Sequence, residues 1–103
     1  MKIIRSKEFT AERAWGALDI ANINGVTVRL HWTKEPYKWH VNDGEEVFAV
    51  QHGKVEMRYR ENGEEKSVLL EAGDVFFAEV SDEHGAHPVG EARILVVEKQ
   101  GSV

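Results

Sequence analysis

Hydrophobic and polar residues in this chain alternate with a period of two over short runs, and turn residues separate the runs. Val26, Val28, Leu30 and Trp32 fall on one side of an extended segment, and Thr27, Arg29 and His31 on the other. One of these faces is core, and the other is either a pocket wall or a subunit contact. Glu46, Phe48 and Val50 share a face opposite Val47 and Ala49, and Val55, Met57 and Tyr59 alternate with Glu56, Arg58 and Arg60. The pattern predicts strands over 18–23, 26–32, 46–51, 55–60, 67–70, 75–80 and 93–98. Asn24-Gly25 and Asn62-Gly63 predict tight hairpins, because both central residues of such a turn must accept positive φ. His52-Gly53 and Ala72-Gly73-Asp74 predict further turns, and Pro36 a loop. Residues 3–15 show no sustained period and predict an edge strand and a turn of helix. No repeat, linker or long amphipathic helix interrupts the series. Short, evenly spaced strands imply an all-β sandwich or barrel in one domain, 1–103.

Chemistry concentrates just after the Pro36 loop. His40 and Asn42 stand two residues apart, so on an extended segment both side chains point to the same side. Glu46 follows four residues later, and the acidic loop 81–83 delivers His84. Two imidazoles, a carboxylate and an amide are donors suited to a divalent cation.

The spacing resembles the cupin superfamily. Its first motif reads Gly, five residues, His-x-His, three or four residues, Glu, six residues, Gly. Here His40, Glu46 and Gly53 match, Asn42 stands at the second His and Lys34 at the first Gly. The second motif reads Gly, five residues, Pro-x-Gly, two residues, His, three residues, Asn. Gly73 and His84 match it, with Glu79, Ser81 and Pro88 at the Pro, Gly and Asn positions. The resemblance covers roughly residues 25–99. It implies a double-stranded β-helix, the cupin jelly-roll barrel, with a metal site made by His40, Glu46 and His84 and with Asn42 as a weak fourth ligand. It further implies a divalent transition metal (iron, manganese, nickel or zinc), a small-molecule ligand in the barrel and a homodimer, for which Val47 and Ala49 supply an apolar outer face.

Other residues admit two readings each. His87 either replaces the missing His or acts as a base beside the metal, or it is a rim histidine in a loop. His31 enters the cavity or lies in an interface, and His52 sits in an exposed turn. Arg29 binds an anionic substrate or pairs with an acidic neighbour. Trp15, Trp32, Tyr37, Trp39 and Phe48 line a stacking pocket or serve as packing. His31, Trp39, Phe48 and His87 are therefore the substrate-pocket candidates. Glu45 points away from Glu46 by strand alternation.

Composition narrows the partners. The 103 residues carry 18 acidic against 13 scattered basic side chains and no cysteine. That argues against nucleic acid and removes thiolate sites and thiol nucleophiles. No apolar run approaches a membrane span, and the amino terminus lacks the apolar centre of a signal peptide, so a cytoplasmic protein is expected. Three functions stay open: a metal-dependent enzyme of dioxygenase, isomerase or decarboxylase type, a non-catalytic ligand-binding module, and a metal-free enzyme using His84 or His87 as base.

Overall fold

A computed structural model describes residues 1–102. Seven strands follow one turn of 3-10 helix, Ser6–Glu8. They are β1 (Gly16–Ile23), β2 (Val26–Thr33), β3 (His40–Val41), β4 (Glu46–Glu61), β5 (Glu64–Glu71), β6 (Val75–Ala78) and β7 (Glu83–Lys99). All pairings are antiparallel, in the order β1-β2-β7-β4-β5, with β3 added to β7 and β6 to β4.

The two Asn-Gly hairpins form as their sequence requires. Asn24 and Gly25 have φ of 53° and 85°, Asn62 and Gly63 φ of 52° and 78°, and the flanking pairs are Ile23 with Val26 and Glu61 with Glu64. These positive dihedrals twist the turn in the sense the strands need.

The expected turn at His52-Gly53 does not reverse the chain. It is an irregularity inside one long strand, so the runs 46–51 and 55–60 are two halves of β4. A glycine with positive φ serves a bulge as well as a hairpin, and the local sequence does not separate the two. Gly53 has φ of 82°, and a Cβ there would stand 2.3 Å from the Glu91 carbonyl oxygen. The strand β7 bends beside it. Its residues 83–89 pair with 54–60 of β4, and its residues 93–98 with the other half. One bend thus folds β3, β5 and the adjoining halves of β4 and β7 over β1, β2, β6 and the remaining halves. Val50, Val55, Met57 and Ile94, all fully buried, flank the bend and fill the space between. Burial of such side chains stabilises the fold by roughly 1.5–3 kcal/mol each.

Other expectations need correction. No strand forms over 3–15, although the helical turn does. The extended segment expected at His40 forms only the two-residue β3, after the Pro36 loop. The strand expected over 75–80 ends at Ala78. His87 lies within β7 and not in a loop, because the strand runs unbroken from Glu83 through Pro88. His52 is half-buried, and its Nδ1 lies 2.9 Å from the Arg93 guanidinium. Arg93 also donates to the Phe9 carbonyl at 2.7 Å and pairs with Glu91, so it fastens the amino-terminal segment to the sheet. On β2, Leu30 and Trp32 are buried on one face while Arg29 and His31 turn to a cavity on the other. No helix among the described residues is long and apolar enough to cross a membrane.

Candidate metal centre

Three strands bring the expected ligands together. Register places His40 of β3 beside His84 of β7, and β4 presents Glu46 from the other side of the bend, where its register partner is Glu98. Ligand atoms of His40, Glu46 and His84 all lie within 4.8 Å of one another. Glu46 and His84 are buried, at 8% and 2% exposure, and His40 is half-buried. The His40 and His84 ring centroids are 4.3 Å apart.

Hydrogen bonds fix the imidazoles. His40 Nδ1 lies 3.1 Å from the Lys38 carbonyl oxygen and donates to it, leaving the Nε2 lone pair for the cavity. Asn42, 4% exposed, gives its amide nitrogen to the Gly44 carbonyl at 3.3 Å, which turns Oδ1 inward. That oxygen lies 2.7 Å from His84 Nε2, whose hydrogen it accepts. Glu46 Oε1 is 3.2 Å from the same nitrogen, the longer of the two approaches. Consequently His40 Nε2, Glu46 Oε1 and His84 Nδ1 are buried with no hydrogen-bond partner among the described residues. Each such atom costs about 1–3 kcal/mol unless something satisfies it. The residues that carry these atoms are the converging set, and a divalent cation fits their donor chemistry. Asn42 supplies an oxygen where the motif has an imidazole.

The loop carrying the second motif is tied to the first. The Asn42 amide donates to the Asp82 carbonyl and the Ser81 amide to the Asn42 carbonyl, both at 2.8 Å. Ser81 has φ of 77° there, the region that the Gly of the motif would adopt without strain. The variant Ser81→Gly is expected to be more stable by about 0.5–1 kcal/mol, since relief of roughly 1–2 kcal/mol of left-handed strain exceeds the gain in unfolded-chain entropy. Urea denaturation measures this.

A cavity of about 110 Å³ opens beside the ligands, and its walls include Trp15, His31, Tyr37, Phe48, Val96 and Glu98. Two of the four pocket candidates, His31 and Phe48, are on this wall, and Trp39 and His87 are not. Trp39 lies under the Arg60 guanidinium, 5.1 Å from its ring, and packs on Gly85. His87 is an odd number of residues from His84 along β7, so it points to the opposite face. His31 donates from Nδ1 to the Trp15 carbonyl at 2.9 Å, and burial holds its imidazole below the ordinary value. Trp15, with φ of 61°, is pinned by that bond and by its own indole bond to the Glu35 carbonyl at 2.9 Å. Its ring meets Tyr37 edge-on at 5.3 Å. Trp32 lies on the other face of β2, bonded to Glu91. Arg29 reaches the cavity edge paired with Asp19 at 2.7 Å, and Glu45 is exposed.

Glu98 is the wall residue that the sequence reading did not single out. It stands opposite Glu46 in the β4–β7 register and faces the same cavity. Burial, then the charge of Glu46 and a hydrogen bond with it, push the Glu98 carboxyl up to about 7. The signal was present: Glu98 is the charged residue sharing a strand face with Ile94 and Val96.

No family model matches the sequence, and no curated protein matches it. Solved structures do match. A cupin-2 domain protein from Shewanella frigidimarina superposes with a TM-score of 0.77 at 24% identity over 87% of this chain and 85% of its own. A double-stranded β-helix protein from Klebsiella pneumoniae gives 0.74 at 18% identity, covering 98% and 91%. A hydroquinone 1,2-dioxygenase in complex with Fe3+ gives 0.76 at 15% identity, covering 87% of this chain and 29% of that one. The chain therefore has the cupin fold, an all-β double-stranded β-helix.

Proposed function

We propose that this protein binds one divalent transition metal through His40, Glu46 and His84, with Asn42 Oδ1 beside them, and acts on a small molecule in the adjoining cavity. The observation that carries this reading is the convergence of buried, unpartnered His40 Nε2 and Glu46 Oε1 on the His84 imidazole. The dioxygenase with Fe3+ lends support from the same fold. A metal held there supplies a Lewis acid that polarises a substrate oxygen or activates water. The chain's own residues do the rest. Phe48, Val96 and Ala86 exclude water from one side of the cavity, Trp15 and Tyr37 present ring edges and faces, and Glu98, its carboxyl pushed up to about 7, stands next to Glu46.

Elemental analysis of untagged protein purified without added metal tests the reading. About one transition metal per chain is expected, together with its loss in His40→Ala. Metal-free protein that takes up no iron, manganese, nickel or zinc on titration would sink it.

One observation favours a second reading, a binding module without metal: the His84–Asn42 hydrogen bond already occupies the nitrogen that a metal would need. Stoichiometric ligand binding that survives a chelator would select it. Activity that survives the chelator would instead select metal-free catalysis, with His84 as the base, since His87 faces away.

We also propose a homodimer through the outer face. Ala49, expected on this face, is buried and Val47 half-buried; the apolar surface left open is that of their partners Val75 and Phe77, 61% and 51% exposed. Light scattering on the eluting protein should give twice the chain mass, and Phe77→Asp should halve it.

A further inference from the structure

Of the histidines that line the cavity, His31 is the one the metal reading does not use. It stands on β2 between Leu30 and Trp32, both buried on the other face of the strand. Alternation therefore sends its side chain to the cavity wall that it shares with Trp15, Phe48 and Val96.

Its two ring nitrogens differ. Nδ1 lies 2.9 Å from the Trp15 carbonyl oxygen, which can only accept, so Nδ1 carries a hydrogen. Burial holds this imidazole below its ordinary value, and the ring is neutral near neutral pH. A neutral ring has a single N–H, so Nε2 keeps its lone pair. No group among the described residues donates to that lone pair. His31 is half-buried, and its Nε2 is not sealed in as His40 Nε2 and Glu46 Oε1 are. The bond at Nδ1 fixes the ring, and so fixes where Nε2 is presented.

The space beside it is small and mostly apolar. At roughly 12–30 Å³ per water-sized group, the cavity of about 110 Å³ admits about four to nine non-hydrogen atoms. A molecule that fills such a space without donating to Nε2 strips water from an acceptor and returns nothing. Glu46 and Glu98 are acceptors on the same wall, but a hydrogen bond joins them to each other.

We propose that His31 selects the ligand of this cavity: a compact molecule of that size whose N–H or O–H group donates to His31 Nε2, while His31 Nδ1 holds Trp15 in place as part of the wall. The proposal rests on the small-molecule part of the reading above and not on the metal. It adds the hydrogen-bonding character of the molecule and the residue that reads it.

Pyrrole and furan test it. Both are flat five-membered rings, but pyrrole offers an N–H and no free lone pair, and furan an oxygen and no donor. Each is titrated into nitrogen-15-labelled protein in the presence of a chelator. Shifts of the Trp15 indole and the Ala86 amide place the probe in the cavity, and the His31 ring nitrogens report the tautomer and the bond. Pyrrole is expected to bind about fivefold more tightly than furan, the worth of one ordinary hydrogen bond, and to move the Nε2 resonance, which furan leaves in place. His31→Asn puts an amide where Nδ1 was and nothing where Nε2 was. It is expected to abolish the preference and to leave the Trp15 indole resonance of the probe-free protein unchanged. Should Trp15 move in that variant, the wild-type Nε2 resonance decides alone. Equal or tighter binding of furan, a hydrogen on Nε2, an Nε2 resonance that pyrrole does not move, or a pyrrole preference that survives His31→Asn with Trp15 in place would overturn this proposal. None of these touches the metal reading, which elemental analysis decides. If neither ring enters the cavity, the proposal and the small-molecule part of the reading fall together.

Discussion

The His84→Ala protein is expected to lose metal affinity by at least about 100-fold, more than the 10–100-fold typical of changes around the ligands of a metal site. His84 stands at the centre of the set: its Nε2 is 2.7 Å from Asn42 Oδ1 and 3.2 Å from Glu46 Oε1. Removing the ring takes away a nitrogen donor and leaves two oxygens and one imidazole. The same change should destabilise the metal-free protein by about 2–4 kcal/mol, because a buried side chain becomes a cavity and Asn42 Oδ1 loses its donor. Denaturation in a chelator separates this structural cost from the metal's contribution. With metal at 100 times its dissociation constant, the wild type should gain about 2.7 kcal/mol and His84→Ala almost nothing. Asn42→His is the informative companion. It restores an imidazole at a position already aimed at the cavity, and tighter metal binding is expected. Equal metal content in wild type, Asn42→His and His84→Ala would count against the site.

Most of what brings these residues together was legible because it is local. Alternation put Glu46, Phe48 and Val50 on one face, and Asn-Gly pairs announced two hairpins whose φ values require them. The motif spacings singled out His40, Glu46 and His84; register sets His40 beside His84, and the bend brings Glu46 to them. What local sequence did not reveal was how far a strand continues. His52-Gly53 reads as a turn because a positive-φ glycine is common to turns and bulges, and the choice depends on Glu91, far along the chain. The same blindness hid the unbroken β7. Once 83–89 is known to be strand, alternation alone turns His87 away from His84, while it is the pairing of β7 with β4 that sets Glu98 opposite Glu46. Trp15 entered the cavity from a segment without periodicity, held by carbonyl contacts that no pattern announces.

Gly53→Ala is expected to be the most destabilising single-methyl change in the chain, by roughly 2–5 kcal/mol, and to disturb the metal site without touching it. Two costs combine. The left-handed backbone conformation costs a side chain roughly 1–2 kcal/mol, and overpacking against fixed neighbours about 1–3 kcal/mol more. The clash is with backbone: the new methyl would stand 2.3 Å from the Glu91 carbonyl oxygen and 3.1 Å from Ala92 Cα, neither of which can swing aside as a side-chain tip would. Relief requires β4 and β7 to separate at their shared bend. Both Glu46 and His84 hang from these two strands, on opposite sides of that bend, so opening it changes the distance between them. A thermal midpoint lower by roughly 8 °C or more is therefore expected, at 4–8 °C per kcal/mol for a domain of this size. Where the variant stays folded, its metal affinity should fall although every ligand is intact. Gly25→Ala serves as the control, since it also has positive φ, at 85°, but meets nothing within 4 Å. It should show the conformational cost alone and leave metal binding unchanged. If both variants lose the same stability and the same metal affinity, the close contact at Glu91 is not what sets the bend.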